Sequence, residues 1–239
     1  MPRISVITPV YNPTEEKWKI SSESIQRQTS KDFEWILVDD GSENNPYIRD
    51  ITLDKNYGPS VARNVGFQIS SGDIITYLDM GDSLSDRRIE DLIWHFDNHK
   101  TTSLLFCAYD IVQNLRTSRF NPAEYQTQFI DFLKYQNVSI PMGVAHTRKP
   151  FVECGGFQRG IVCGEDGILW RRMVDILPRD TIKMSNSLAG TYFVSTNGQS
   201  RTQRRFEMGG FAFDGSKKDN GKYLDEDWFK NFHSNGLYD

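Results

Sequence analysis

Residues 58–84, GPSVARNVGFQISSGDIITYLDMGDSL, hold a helix, a strand and an acidic strand end in one run. Gly58-Pro59-Ser60 is a helix start, because proline is accommodated in a first turn. Val61, Ala62, Val65 and Ile69 recur at helical spacing and predict the buried side of that helix. Gly72-Asp73 turns the chain into IITYL, apolar on both faces as in a strand covered on both sides. That strand stops at Asp79, and Met80, Gly81 and Asp82 follow. Two carboxylates beside a buried strand are costly unless a cation meets them.

The same alternation extends outward. RISVIT, residues 3–8, reads as a buried strand broken by Pro9 and by Asn12-Pro13. A helix is predicted over 14–28, a second strand over 32–39, and a turn at Asp40-Gly41-Ser42. Downstream, Ser85 is predicted to cap a helix over 86–99, with Ile89, Leu92, Ile93 and Phe96 in one stripe. LLFCAYDIV, 104–112, is the next strand. This β-α-β-α-β-α-β order predicts an α/β fold with a mainly parallel sheet and helices on both faces. Ligands of such sheets bind at the carboxyl ends of the strands. Tyr11, Asn12, Asp39, Asp40, Asp79 and Asp82 are expected to gather there along one edge. The pattern loosens from about 113. A helix is predicted over 122–135 and a Gly-rich stretch over 143–167. GEDGILWRRMVDI then reads as a helix. The tail from 199 is basic, then Gly-rich, then acidic and aromatic. There are no internal repeats. The expected organisation is a regular half over 1–112, a looser half of the same domain over 113–200, and a C-terminal extension over 201–239.

Composition narrows the functional classes. The chain has 239 residues, 28 basic and 32 acidic, for a formal net charge of −4. Without a long basic block, binding to nucleic acid is not expected. Cys107, Cys154 and Cys163 are odd in number and lack CxxC spacing, which suits free thiols in a reducing compartment. The N-terminus reads as a strand rather than a signal peptide, and no run has the length of a membrane helix. These features together lead to an expectation of a cytoplasmic protein with no transmembrane segment. His95 and His99 are four apart but lack the HExxH glutamate, and are expected to be surface residues. Neither GxGxxG nor GxxxxGK[ST] occurs, so dinucleotide and P-loop sites lack their phosphate loops.

The acidic edge has a specific chemical reading. Asp39-Asp40-Gly41-Ser42 alone is equally well a turn. With Asp79 and Asp82 on the same edge, the carboxylates repel unless compensated. A divalent ion held by one or two carboxylates and completed by phosphate oxygens solves this. Tyr11 offers a flat surface for a base, and Asp39 or Asp40 an acceptor for a ring N–H or ribose hydroxyl. Arg63 suits a diphosphate, or is an ordinary ion-paired arginine. Glu165 and Asp166 at a helix start favour the helix dipole, and one of them is a candidate general base.

In combination these stretches resemble glycosyltransferase family 2, the inverting enzymes of the GT-A fold. The resemblance rests on ISVITPVYN, SIQRQT, FEWILVDDGS, residues 58–84, and GEDGILWRRM preceded by FVECGGF, in that order. It implies a nucleoside-diphosphate sugar donor, with a UDP-sugar favoured over dTDP or GDP donors, and Mn²⁺ or Mg²⁺. By position, Thr8, Pro9, Tyr11 and Asp40 or Asp39 would line the base and ribose pocket, and Arg63 would lie near the diphosphate. YLDMGD falls at the metal-binding Asp-x-Asp, with Asp82 the foremost ligand and Asp79 a second ligand or a ribose partner. Asp166, or secondarily Glu165, falls at the catalytic base. Gly81 departs from the common Asp-x-Asp-Asp, and the QxxRW of processive members is absent. The implied activity is non-processive transfer to a hydroxyl of a glycan or glycoconjugate, which would bring the protein to a membrane only through its acceptor. The alternative is a catalytically weak nucleotide-sugar-binding protein of the same fold. The tail is expected to contact the acceptor, cover the diphosphate or pair subunits into a homodimer.

Overall fold

The first strand forms where the β-branched run predicts it, and the rest of the sheet is built around it. The computed structural model describes residues 1–125, 128–135, 140–161 and 164–194. In chain order, β1 (Ile4–Val10) leads to α1 (Glu15–Gln26), β2 (Phe33–Asp39), the short β3 (Ile51–Thr52) and α2 (Pro59–Ile69). Next come β4 (Ile74–Tyr77), the two-residue β5 (Ser83–Leu84), α3 (Arg88–Asn98), β6 (Leu104–Gln113) and β7 (Arg116–Phe120). α4 (Gln128–Tyr135), β8 (Val144–Thr147), α5 (Arg148–Glu153), α6 (Glu165–Ile176) and β9 (Ile182–Phe193) complete the described chain.

Among the described residues nine strands join one mixed sheet in the order β3-β2-β1-β4-β8-β6-β9-β5, with β7 on β6. β1 pairs in parallel with β2 and β4, so the carboxyl ends of all three lie together. β8 is antiparallel between β4 and β6. It therefore leaves β6 and its parallel neighbour β9 running the same way as the first strands. The sheet curls until β5 meets β9 and the Phe193 amide donates to Asp82 Oδ1 at 3.1 Å. α1 and α3 cover one face through Ile25, Ile89, Leu92 and Phe96. The other face takes Phe67 of α2, Phe151 of α5 and Leu169, Trp170 and Met173 of α6. At roughly 1.5–3 kcal/mol per buried large apolar side chain, these two layers dominate the stabilisation.

Several expectations are corrected. Arg87, not Ser85, stands before α3, and it makes no side-chain cap. The Ser85 carbonyl instead accepts the Arg88 amide, and it also accepts the Gln28 amide nitrogen at 2.8 Å. The predicted 122–135 helix is a 3₁₀ turn at Pro122–Glu124 followed by α4. The Gly-rich 143–167 stretch hides β8 and α5, and β7 and β9 were not predicted. β8 has four residues, too short for an alternating signal. β9 has a polar stretch, KMSNS, near its start, is half-buried at most positions and is bulged against β6. His95 is buried beside Thr102, while His99 is exposed as expected. Cys107 and Cys154 are free, buried thiols. Cys163 and the tail over 201–239 lie outside the described residues. Among the described residues no helix is long and apolar enough to cross a membrane.

A buried polar pair ties β4 to β8. His146 Nδ1 lies 2.8 Å from the Thr147 carbonyl and Nε2 lies 2.8 Å from the Tyr77 hydroxyl. The carbonyl can only accept, so Nδ1 carries the proton and Nε2 accepts from Tyr77. Burial is the main cause that lowers the His146 pKa from 6.5 to about 4. The folded state therefore keeps His146 neutral while the unfolded chain takes up a proton below pH 6.5. This part of the stability is present above 6.5 and is lost as pH falls toward 4. At about 1.4 kcal/mol per pKa unit, the loss amounts to roughly 3 kcal/mol. Urea titrations between pH 7 and 4 check it: His146→Gln is expected to flatten the wild-type decline, and an unchanged slope would rule the assignment out.

Candidate active site

The carboxyl ends of β1, β2 and β4 bring the predicted polar residues to one edge. Tyr11 stands just past β1, 48% exposed, and Asn12 follows with a positive φ of 43°. Pro9 is half-buried in β1. Thr8 is fully buried, and its hydroxyl accepts the Trp35 indole N–H at 2.8 Å, so it braces the strands instead of facing the open edge.

Asp39 and Asp40 are buried and hold local turns. Asp39 accepts the Ser42 amide at 3.0 Å and the Asn45 side-chain amide at 2.9 Å. Asp40 accepts the Tyr57 and Gly58 amides, each at 2.8 Å. It thereby fixes the turn that starts α2 at Pro59. The turn reading is thus realised for both residues as they stand.

The second acidic group is built differently. Arg63, on α2, is 2% exposed. Its Nη2 donates to Asp79 Oδ1 at 2.6 Å and its Nη1 to Glu165 Oε1 at 2.9 Å. One guanidinium therefore grips the end of β4 and the first turn of α6, the latter 102 residues from Arg63 in the chain. The Phe157 ring lies 5.2 Å from the guanidinium. Burial opposes the charge, but Asp79 and Glu165 outweigh it and raise the Arg63 pKa. Removing one partner from such a buried group typically destabilises by about 3–5 kcal/mol. Arg63 is thus ion-paired, as a clasp between two carboxylates.

Asp82 closes the group. Burial first, and the Asp79 charge second, push its carboxyl well above the usual range, while the Phe193 amide and Lys17 pull it back. Ser21 of α1 fixes the loop: its hydroxyl accepts the Gly81 amide and donates to the Asp82 carbonyl, both at 2.9 Å. Gly81 has φ 105°, and a Cβ there would come within 3.0 Å of the Lys17 side chain. Arg63 pairs with Asp79 and Glu165 but not with Asp82, and burial leaves Asp82 poorly hydrated. The chemistry of Asp82 and of the 39%-exposed Asp79 side chain is compatible with a divalent cation. Among the described residues no group of three or more such side chains forms a complete cage. Two carboxylates suit an ion whose shell phosphate oxygens complete.

Asp166 follows Glu165 in the first turn of α6, which begins after Gly164 in the left-handed conformation at φ 86°. Asp166 Oδ1 accepts the Gly167 amide at 2.7 Å. Its charge acts on the Tyr109 phenol of β6 and on Arg171. Glu165 is buried against Arg63, so of the two acids Asp166 is the half-buried one. Sequence reasoning missed Ser21, Asn64 and Phe157. Only the run of serines on the buried side of α1 signalled Ser21.

Comparison with known proteins gives the family and the fold. The sequence model described as Glycosyl transferase family 2 matches residues 5–154. An uncharacterized glycosyltransferase of Methanocaldococcus jannaschii is 32% identical over 149 residues, covering 56% of this chain and 51% of that protein. The Staphylococcus aureus poly(ribitol-phosphate) beta-N-acetylglucosaminyltransferase TarP is 32% identical over 124 residues, 46% of this chain and 38% of its own. The chain spans about half or less of the length of these curated relatives. Among solved structures, S. aureus TarS 1–349 in complex with UDP gives a TM-score of 0.67 at 19% identity, covering 82% of this chain and 61% of that one. A mannosyltransferase from Pyrobaculum calidifontis in complex with GDP-Man and Mn²⁺ gives 0.55 at 18% identity, covering 82% and 58%. These likenesses agree with a GT-A-like α/β fold, and the family match covers more than half of the sequence. The chain belongs to glycosyl transferase family 2.

Proposed function

We propose that the protein transfers one sugar from a nucleoside-diphosphate sugar to a hydroxyl of a glycan or glycoconjugate, with inversion at the anomeric carbon. The observation that carries this reading is the Arg63 clasp, which brings the Asp79–Asp82 strand end and the Glu165–Asp166 helix start to one edge. Pro9 and Tyr11 would face the base and ribose. Asp79 and Asp82 would hold Mn²⁺ or Mg²⁺, which when bound supplies positive charge to the departing diphosphate. Asp166 would take the proton of the acceptor hydroxyl as that oxygen attacks the anomeric carbon and the bond to the diphosphate breaks. TarS with UDP or UDP-GlcNAc and the mannosyltransferase with GDP-Man support a donor of this class.

A thermal-shift panel tests the donor and ion together. UDP, GDP, dTDP and their sugars are each measured with Mn²⁺, with Mg²⁺ and with chelator. A ligand at 100 times its Kd adds about 2.7 kcal/mol of stability. Stabilisation by one nucleoside class that chelator abolishes is the expected result, and no stabilisation by any of them would sink the proposal. A second reading, a weak or inactive nucleotide-sugar-binding protein, is favoured by Gly81 standing where the family's common motif has an acid. Donor binding without transfer or hydrolysis would select it.

A further inference from the structure

Arg63 and Asn64 are consecutive residues of α2, and both reach across to the segment that carries the proposed base. Arg63 holds Glu165, at the first turn of α6, and Asp79, at the end of β4. The Asn64 side chain donates to the Phe157 carbonyl at 2.9 Å and accepts the Phe157 amide at 2.9 Å. That two-way bond fixes the turn before α6, where Gly156 has φ 72° and a Cβ would lie 2.7 Å from Asn64 Oδ1. Phe157, so held, presents its ring to the guanidinium. Asn64 and Phe157 are both buried, so neither bond is a surface accident.

We propose that Arg63 and Asn64 are positioning residues that set the distance between the donor-side carboxylate Asp79 and the α6 turn bearing Asp166. Both terminal nitrogens of Arg63 are engaged by protein carboxylates, which leaves donor phosphate as a poor account of its role. Transfer needs the base and the donor in register, and a misplacement of about 1 Å costs on the order of 100-fold in rate. The inference rests on the proposed transfer reaction for its rate effect, and on geometry alone for its structural effect.

Arg63→Lys and Asn64→Ala test it. Lysine keeps a charge beside Asp79 but lacks the planar fork that spans two carboxylates. Asn64→Ala introduces no charge change and serves if Arg63→Lys does not fold. UDP affinity with Mn²⁺ is read by calorimetry. Turnover is read on the donor that most stabilises the wild type, and amide hydrogen exchange is read over Phe157 and residues 165–168. Both variants are expected to keep UDP affinity within about threefold, to lose about 100-fold in kcat, and to exchange faster in those segments. UDP binding weakened by the factor that kcat falls would mark Arg63 as a phosphate contact and overturn the proposal, as would unchanged kcat. If the wild type turns over no donor, the functional reading fails separately. Exchange then decides the clasp: faster exchange at 165–168 upholds it and unchanged exchange overturns it.

Discussion

Asp166→Asn is expected to lower kcat by about 10²–10⁴-fold while leaving UDP affinity within a few-fold of wild type, because general base catalysis contributes about that much. The asparagine is nearly isosteric and can still accept the Gly167 amide through its side-chain oxygen, so the first turn of α6 keeps its geometry. What it loses is the capacity to take a proton. Glu165 is unable to substitute, since its carboxylate is buried and committed to Arg63 at 2.9 Å. The measurement is single-turnover transfer at saturating donor, paired with calorimetry on UDP. Intact turnover would remove Asp166 from the base role. Lost UDP binding would mean that the substitution has damaged the donor side.

The second large effect concerns Asp82. Asp82→Ala is expected to abolish the Mn²⁺ dependence of UDP binding, with a loss of at least tenfold in affinity, more than Asp79→Ala causes. Asp82 sits in the buried loop that Ser21 and the Phe193 amide hold in place, so the site is shaped before an ion arrives. Asp79 already has one oxygen on Arg63, which weakens its claim on an ion. Burial and the Asp79 charge disfavour ionisation of Asp82, so an ion bound there is expected to shift it toward the charged form. Calorimetry with UDP in Mn²⁺ and in chelator reads both variants. The reverse order of losses would make Asp79 the principal ligand.

The first half of this fold is legible in the sequence because its elements are long and strongly patterned. β1, β2 and β4 are β-branched and buried on both faces, and α2 carries its apolar side at helical spacing. The second half escapes for local reasons. β8 has four residues, β5 has two, and β9 pairs with a bulge, so none sustains an alternation long enough to read. At the site, residue identities are legible and their partners are not. The sequence marks Asp39, Asp40, Asp79, Asp82, Glu165 and Asp166 as acids at element ends. It does not show that Asp40 is spent on the Tyr57 and Gly58 amides, or that Arg63 spans Asp79 and Glu165. Those contacts join residues far apart in the chain, and only the packing of α2 under the curled sheet brings them together. Thr8 shows the converse: its place at a strand end suggests the pocket, while the sheet register hands its hydroxyl to Trp35.

The proposed reaction is a single displacement, with Asp79 and Asp82 on the donor side and Asp166 as the base. The most direct test is the configuration of the first-formed product. Hydrolysis of the donor selected by the thermal-shift panel, with Mn²⁺ and water as acceptor, is followed by proton NMR before the released sugar mutarotates. An anomer opposite to that of the donor is the predicted result. Release of the donor's own anomer would contradict the mechanism.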